Sequence, residues 1–226
     1  MYVSRADEQE DMKNLQHNPL LKVFVRSLRR TVLSSRGARK LKALADASPC
    51  RVIIGSAGIS DEGWIPTEVE YLDLCKEDQW RHYFKESSID AILAEHVWEH
   101  LSPREGLTAA KTCYRFLRPG AYLRVAVPDG YHPNQLYIDA VKPHGYGAGS
   151  EDHKVLFTYR SLAQLFESVG FQVMVYEYFD EYGKFHEQYW DERKGLIRRS
   201  KKGDPRNNGN QLNYTSIIAD AVKPSS

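Results

Sequence analysis

Short apolar runs that end in small or acidic residues recur along the middle of the chain. They predict strands at Cys50–Gly55, Ser88–Ala94 and Tyr122–Val127, and a further strand with a turn is expected within Trp64–Leu74. Runs rich in Val, Ile, Leu and Ala of this length are typical of strands buried in a parallel sheet. The loops that follow such strands meet at one edge of the sheet, where open α/β folds bind their ligands.

Two amphipathic stretches carry the start and stop signals of helices. Ser102 is an N-cap with Glu105 three positions later, which is the pattern of a capping box, and this helix is expected to end near Leu117. Thr158–Val169 repeats its apolar residues at helical spacing and is followed by Gly170 as a stop. Strands alternating with such helices favour an α/β domain.

The last part of the chain reads as two strands with a large insertion. Phe171–Phe179 and Tyr214–Val222 are expected to pair antiparallel. We therefore predict one domain over 49–226, with loop insertions at about 130–152 and 180–213. Loops of this length usually cover or build a site.

Charge distinguishes the amino-terminal part from the rest, although the net charge of the 226-residue chain is only +1. Residues 12–45 contain no Asp or Glu and nine Lys or Arg, in a helical pattern. We predict a basic helical extension over 1–48. Such a helix can meet nucleic acid, an anionic membrane or an acidic partner. We favour a helix that covers one edge of the domain, because no interleaving of aromatic and basic residues indicates nucleic acid.

The three cysteines, Cys50, Cys75 and Cys113, are far apart and lack CxxC spacing, which is typical of free thiols in a reducing compartment. No apolar stretch reaches the roughly 18 to 20 residues that span a bilayer. The acidic and basic amino terminus has no apolar signal core. These features predict a soluble, cytoplasmic protein without a membrane span.

A glycine loop follows the first predicted strand. Its residues are Gly55, Ser56, Ala57 and Gly58. Two glycines alone suit either a ligand-binding loop or a plain tight turn, and the dinucleotide pattern GxGxxG does not fit. Glu68 or Asp73, near the end of the second strand, could accept hydrogen bonds from the hydroxyls of a ribose. The alternative is a solvated carboxylate at a strand end.

The stretch EHVWEH follows the third apolar run. On a helix, His96 and His100 would form one polar column, and Glu95 and Glu99 a neighbouring one. Metal binding of the HExxH kind requires Glu directly after the first His, and Val97 stands there, so we expect no metal. Proton transfer or substrate orientation by His96 or His100 is favoured over metal binding, because an imidazole titrates near neutral pH. The alternative is a histidine at a helix start that is bonded to backbone.

The two insertions supply further candidates. The residues that could line a substrate pocket are Asp129, Tyr131, His132, His144 and His153. A basic group that could clamp a carboxylate or phosphate comprises Arg198, Arg199, Lys201, Lys202 and Arg206. A solvated basic insertion explains this second group equally well.

Three segments together resemble one family. IGSAGISDEGWIPTE, LAEHVWEHLS and RFLRPGAYLRVAVPD occur in this order, followed by SVGF and the closing strand IIADAVK. This pattern resembles the class I S-adenosylmethionine-dependent methyltransferases, in particular methyltransferases of type 11. The resemblance implies a Rossmann-like, seven-stranded, mostly parallel sheet with a carboxy-terminal antiparallel strand and helices on both faces. It also implies S-adenosyl-L-methionine as the cofactor.

The same resemblance implies roles for individual residues. Gly55, Ser56, Ala57 and Gly58 would line the methionine moiety, Glu68 would hold the ribose, Asp73 would lie on the adenine side, and Glu95 and His96 would face the sulfonium and the acceptor. This chain departs from the family in two ways. The family's usual GxGxG is reduced to GSAG, and Glu replaces the commoner Asp at the end of the second strand.

The expected reaction is methyl transfer to an O or N of a small-molecule or saccharide-type acceptor. The candidate base is His96, with His100, His132 and Asp129 behind it, and no covalent nucleophile is required. Two rival interpretations remain. The first is a non-catalytic cofactor-binding or scaffold protein of the same fold that acts through the basic helix, and the second is a dinucleotide oxidoreductase, which the absence of GxGxxG disfavours.

Overall fold

The computed structural model describes residues 34–207 and 212–225. Residues 34–44 form a helix, α1, which is the described part of the predicted amino-terminal extension. Leu41 of α1 is fully buried in the main core, so this part of the basic segment packs on the domain. The remainder of the predicted basic helix lies outside the described residues.

Seven strands form one mixed sheet. They are β1 (Arg51–Ile53), β2 (Ile65–Pro66), β3 (Ile89–Glu95), β4 (Leu117–Pro128), β5 (Gln172–Phe179), β6 (Phe185–Glu187) and β7 (Ser216–Val222). Their order is β2-β1-β3-β4-β7-β5-β6. Strands β1 to β4 pair parallel, whereas β7 pairs antiparallel with β4 and β5, and β6 pairs antiparallel with β5. The carboxy-terminal antiparallel strand is confirmed. The expected mostly parallel sheet is corrected to a mixed one, because the 180–213 insertion contributes β6.

Within the described part of the chain, four further α-helices lie between the strands in the sequence. They are α2 (Glu77–Tyr83), α3 (Pro103–Phe116), α4 (Gln135–Val141) and α5 (Tyr159–Glu167). The capping box at Ser102 is present, since its hydroxyl accepts from the Glu105 amide and the Glu105 carboxylate accepts from the Ser102 amide. Thr158 caps α5. Sequence analysis missed α2 and α4, and α4 lies within the 130–152 loop that was expected to be irregular.

The two faces of the sheet are covered differently. Alternate strand residues such as Val52, Ile92 and Val125 point into a main core that also contains buried residues of α1, α2, α3 and α5. Their neighbours Ile53 and Leu93 point to the other face, where a smaller cluster is closed by residues of the 180–213 insertion. Among the residues the structure describes, no α-helix contributes to that smaller cluster. Within the described residues, helices α1, α2, α3 and α5 therefore cover one face of the sheet, and the expected α-helical cover of the other face is not found there.

A buried ion pair fixes the insertion to this second face. Arg124 of β4 is 1% exposed and donates to both carboxylate oxygens of Asp220 on β7, at 2.7 and 2.8 Å. Its remaining nitrogen donates to the backbone carbonyls of Asp191 and Gly195. A buried charge is stable only when it is fully partnered, so the position of the insertion is tied to the sheet.

The EHVWEH stretch does not form the α-helix on which its two polar columns would depend. Strand β3 continues through Glu95, and His96 has a left-handed φ of +55°. A short 3-10 helix at Trp98–His100 follows. The indole of Trp98 is fully buried and donates to the carbonyl of Gly106. Burial of this ring accompanies a sharp turn of the chain at the edge of the sheet, and the two polar columns of an α-helix do not form.

Candidate active site

The glycine loop turns tightly at the carboxyl end of β1. Gly55 and Gly58 have φ values of +59° and +83°, in the left-handed region that favours glycine. A Cβ at Gly55 would lie 3.2 Å from the Val97 side chain, so the loop also passes close to the segment after β3. A Cβ at Gly58 would meet nothing within 4 Å, and the loop is therefore open on that side.

Glu68 holds the glycine loop from the end of β2. Its Oε1 accepts from the Ser56 hydroxyl at 2.6 Å and from the Gly58 amide at 3.2 Å. The Ser56 amide in turn donates to the carbonyl of Thr67 at 2.9 Å. The predicted ribose-binding acid therefore lies against the loop it was expected to serve.

Asp73 is used elsewhere. Its Oδ1 accepts from the Cys75 amide at 2.8 Å, and its Oδ2 lies 3.2 Å from Lys76 Nζ. It does not line either of the cavities beside the glycine loop. These contacts assign Asp73 to the turn before α2, and the structure gives no support to the adenine-side role expected for it.

Two cavities flank the glycine loop. One, of about 340 Å³, lies between Gly55, Ser56 and Ala57 on one side and Glu95 and His96 on the other. We call it the loop cavity, and it brings together most of the residues that the family resemblance implies for cofactor binding.

The other cavity, of about 530 Å³, lies at Gly58 and Glu68 and is closed by Arg36, Gly37 and Lys40 of α1. We call it the helix cavity. A Cβ at Gly37 would lie 2.7 Å from the Tyr71 ring, so α1 approaches the domain closely at this point. The two cavities share Ser56 and together follow both sides of the loop.

The 180–213 insertion closes the loop cavity on the side of Asp61 and Glu95. The Arg199 amide donates to Oε1 of Glu95 at 2.7 Å, and the Arg198 guanidinium pairs with Asp61 at 2.6 Å. Both arginines line the loop cavity. Sequence analysis had placed them in a substrate clamp without indicating that they would lie over Glu95 and Asp61.

A third cavity, of about 920 Å³, adjoins the loop cavity, and we call it the outer cavity. The loop cavity and the outer cavity share four lining residues, His96, Ala148, Arg198 and Arg199, and these residues form the boundary between the two. Among its other lining residues are Tyr137, His153, Arg206 and Tyr214. Of the five predicted pocket residues in the first insertion, only His153 lines it. Lys201 and Lys202 point away and pair with Glu187 and Glu192 at 2.6 and 2.7 Å.

His96 lies where the loop cavity and the outer cavity meet. Its Nε2 is 3.0 Å from the Ser216 hydroxyl, and its Nδ1 is 2.9 Å from Oε1 of Glu99. The ring is held between these two groups, and its side chain is 8% exposed. Neither partner was indicated by the sequence, because Ser216 begins a distant strand and Glu99 was considered only in a separate polar column beside that of His96.

Asp129 and His132 lie behind the cavities and line none of the three. Both carboxylate oxygens of Asp129 accept backbone amides, from Tyr131 and Phe179, while burial raises its pKa to about 6. His132 stacks on the Tyr137 ring, and burial lowers its pKa to about 4. Its Nδ1 accepts from the Asn134 amide, so Nε2 carries the proton of the neutral ring. Because Nε2 is buried and protonated, neither ring nitrogen is available as a base. Neither residue is therefore placed to act on a ligand in these three cavities.

One segment of the chain matches a known family model. Residues 62–125 match the model described as a methyltransferase domain, a segment that runs from before β2 into β4 and includes the EHVWEH turn. The resemblance to the S-adenosylmethionine-dependent methyltransferases is confirmed. The glycine loop at Gly55 to Gly58 lies just before the matched segment.

Solved structures of methyltransferases are similar to this chain at low identity. An S-adenosylmethionine-dependent methyltransferase from Archaeoglobus fulgidus is 16% identical, with 89% of this chain and 98% of that chain covered and a TM-score of 0.45. One from Mesorhizobium loti is 11% identical, with 81% and 95% covered and a TM-score of 0.48. Phosphoethanolamine N-methyltransferase 2 from Haemonchus contortus, in complex with S-adenosyl-L-methionine, is 12% identical, with 84% and 52% covered and a TM-score of 0.42.

No curated protein matches the chain. Within 34–207 and 212–225, the helices are all too short or too polar to cross a membrane.

Proposed function

We propose that this protein is a methyltransferase that uses S-adenosyl-L-methionine and transfers its methyl group to an O or N of a small-molecule or saccharide-type acceptor. The observation that carries the proposal is the continuity of the cavities. The helix cavity adjoins the loop cavity at Ser56, and the loop cavity adjoins the outer cavity at His96. A cofactor and an acceptor can therefore meet across His96.

The residues around the glycine loop fit the cofactor. The helix cavity, where the Glu68 carboxylate lies, has room for a nucleoside, and a carboxylate there can accept hydrogen bonds from ribose hydroxyls. The loop cavity would take the methionine moiety between Gly55 and Glu95. Arg199 lines this cavity and forms no ion pair within the described residues, although its charge also acts on Asp204. We propose that its guanidinium pairs with the cofactor carboxylate.

When bound, the cofactor supplies an electrophilic methyl group on a sulfonium. The protein's main task is then to align the acceptor with the methyl group. Holding the two reactants in line lowers the activation barrier, because their translational and rotational freedom has already been lost on binding. His96 is the predicted base that lines both cavities, and we propose that it contacts the acceptor and its departing proton. The outer cavity has a volume within the range of small-molecule sites, about 300–1,000 Å³.

Calorimetric titration with S-adenosylhomocysteine tests the cofactor site. We expect saturable binding by the unchanged protein and its loss in Gly58→Val, since a β-branched residue is strained at φ +83°. Glu68→Ala should also lose binding, whereas Glu181→Ala, on the exposed Arg160 pair, should retain it. Binding that survives both loop variants, or no binding at all, would contradict the proposal and move weight to the scaffold interpretation.

The acceptor side has its own test. Transfer of a labelled methyl group to a panel of hydroxyl and amine compounds should fall at least about 100-fold in His96→Ala. The variant should still bind S-adenosylhomocysteine. Transfer that is unchanged in His96→Ala would remove His96 from the acceptor site.

A further inference from the structure

Beside the methyltransferase site, three side chains from two distant segments converge. Glu99 and His100 follow β3, and His153 follows the 130–152 loop. One ligand atom of each lies within 4.8 Å of those of the other two. The sequence argued against a metal at EHVWEH because Val97 stands where the HExxH pattern requires Glu. The fold instead brings His153 to this turn from more than 50 residues away.

The Glu99 carboxylate is buried, and the His96 ring is its one close partner within the described residues. Its side chain is 1% exposed, and neither oxygen receives an aligned hydrogen bond within the described residues, although Oε1 lies 2.9 Å from His96 Nδ1. A buried carboxylate without donors is unfavourable. A cation at this point would supply the missing partner.

Each of the two histidines has one ring nitrogen held by an acceptor, which leaves the other nitrogen able to bind a metal. His100 Nδ1 lies 2.8 Å from Oδ1 of Asp152, and His153 Nδ1 lies 2.7 Å from the carbonyl of Val141. A carboxylate and a carbonyl can only accept, so each Nδ1 carries the proton and each Nε2 keeps its lone pair. Carboxylate and carbonyl partners of this kind orient metal-binding histidines in many sites.

We propose that Glu99, His100 and His153 bind a divalent first-row transition metal ion. Two imidazoles and one carboxylate suit Zn²⁺, Mn²⁺ or Fe²⁺ and leave at least one coordination position open. Ligand bonds of about 2.0–2.2 Å require the three atoms to move closer by small side-chain rotations. Asp152 and the carbonyl of Val141 are positioning groups that hold the two rings.

The ion would lie between two of the cavities, because His100 lines the loop cavity and His153 lines the outer cavity. Its open position could then hold an oxygen of the acceptor. That use of the ion rests on the proposed methyltransferase function, whereas binding of the ion itself does not.

Titration of chelator-treated full-length protein with Zn²⁺, and with Co²⁺ for its visible absorption, tests the site. We expect one ion per chain, with an affinity at least about 100-fold lower in His100→Ala and in His153→Ala, and about 10- to 100-fold lower in Asp152→Asn. His186→Ala is the matched control, since His186 also pairs with an aspartate, Asp180 at 2.6 Å, away from the cluster. It should bind the ion like the unchanged protein.

Thermal unfolding provides a readout that is independent of activity. Zn²⁺ should raise the Tm of the unchanged protein and of His186→Ala, and it should not raise the Tm of the ligand variants. Glu99→Gln conserves the volume of the side chain and removes its charge. If a histidine variant fails to fold, this variant tests the metal site in its place, and Zn²⁺ should not raise its Tm. Absence of saturable binding by the unchanged protein, or equal binding by the ligand variants, would overturn the proposal. S-adenosylhomocysteine titration of the same samples reports separately on the cofactor site.

Discussion

The two walls of the proposed active site are built in different ways. The cofactor wall consists of the glycine loop and Glu68, which lie within 14 residues of each other and are joined by direct hydrogen bonds. The acceptor wall consists of parts of the two insertions, and Arg198, Arg199 and His153 reach it through contacts with distant strands and loops. The first wall is local and readable in the sequence, and the second depends on the packing of the whole domain.

Removing the charge of Arg124 should produce the largest effect and should act on the acceptor wall. Arg124→Leu leaves Asp220 buried without its partner and frees the carbonyls of Asp191 and Gly195. We expect the free energy of unfolding to fall by about 3–5 kcal/mol, measured by urea denaturation.

Two controls accompany this prediction. Arg193→Ala removes an exposed pair with Asp191 and should leave the free energy of unfolding nearly unchanged, because solvent screens the pair. The double variant Arg124→Leu/Asp220→Leu should recover part of the loss, because no buried charge remains unpaired. A single variant as stable as the unchanged protein would show that the insertion is not fixed by this pair.

The first insertion should make stability depend on pH through His132. Burial lowers the pKa of His132 in the folded state from 6.5 to about 4. Between these two pH values the unfolded chain is protonated at His132 and the folded protein is not, so protonation favours the unfolded chain. This contribution is fully present above pH 6.5 and is lost as the pH falls towards 4, for a total of about 3 kcal/mol at 1.36 kcal/mol for each pKa unit.

The comparison with His132→Phe isolates this effect. Phe keeps the stacking on Tyr137 and does not titrate, and the opposing contribution of Asp129 is the same in both proteins. Unfolding free energies measured at pH 7 and pH 4 should therefore differ less in the variant. Parallel pH profiles for the two proteins would contradict the prediction.

Substitution in the cofactor wall should have a smaller and more local effect on stability. Glu68→Ala removes the acceptor of the Ser56 hydroxyl and of the Gly58 amide, and we expect a cost of about 1–2 kcal/mol in denaturation. Glu68→Gln keeps one acceptor oxygen and should cost less. If both variants were as unstable as Arg124→Leu, the cofactor wall would not be the locally organised one.

The pair that joins the walls should contribute least. Arg198 and Asp61 are partly exposed, at 35% and 23%, so Arg198→Ala should lower the free energy of unfolding by no more than about 1 kcal/mol. Its effect should instead appear in S-adenosylhomocysteine binding, because Arg198 closes the loop cavity. A large stability loss without a change in binding would contradict this assignment.

Sequence analysis succeeded for features that depend on local sequence, as in the cofactor wall, and failed for features that depend on distant contacts, as in the acceptor wall. The glycine turn, the caps at Ser102 and Thr158 and the antiparallel last strand were predicted, because each depends on residues that are close in sequence or on simple alternation. The polar columns considered for EHVWEH do not form, because periodicity does not show that β3 continues to Glu95 or that Trp98 is buried. The convergence of His153 with His100 also had no local signal.

Hydrogen exchange with and without S-adenosylhomocysteine tests most directly the claim that one cofactor site is closed from both walls. We predict that the ligand slows amide exchange in the glycine loop, residues 55–59, and also in the insertion, residues 197–200. The Arg199 amide is already bonded to Glu95 and should become better protected. Protection confined to one wall, or absent from both, would contradict the account.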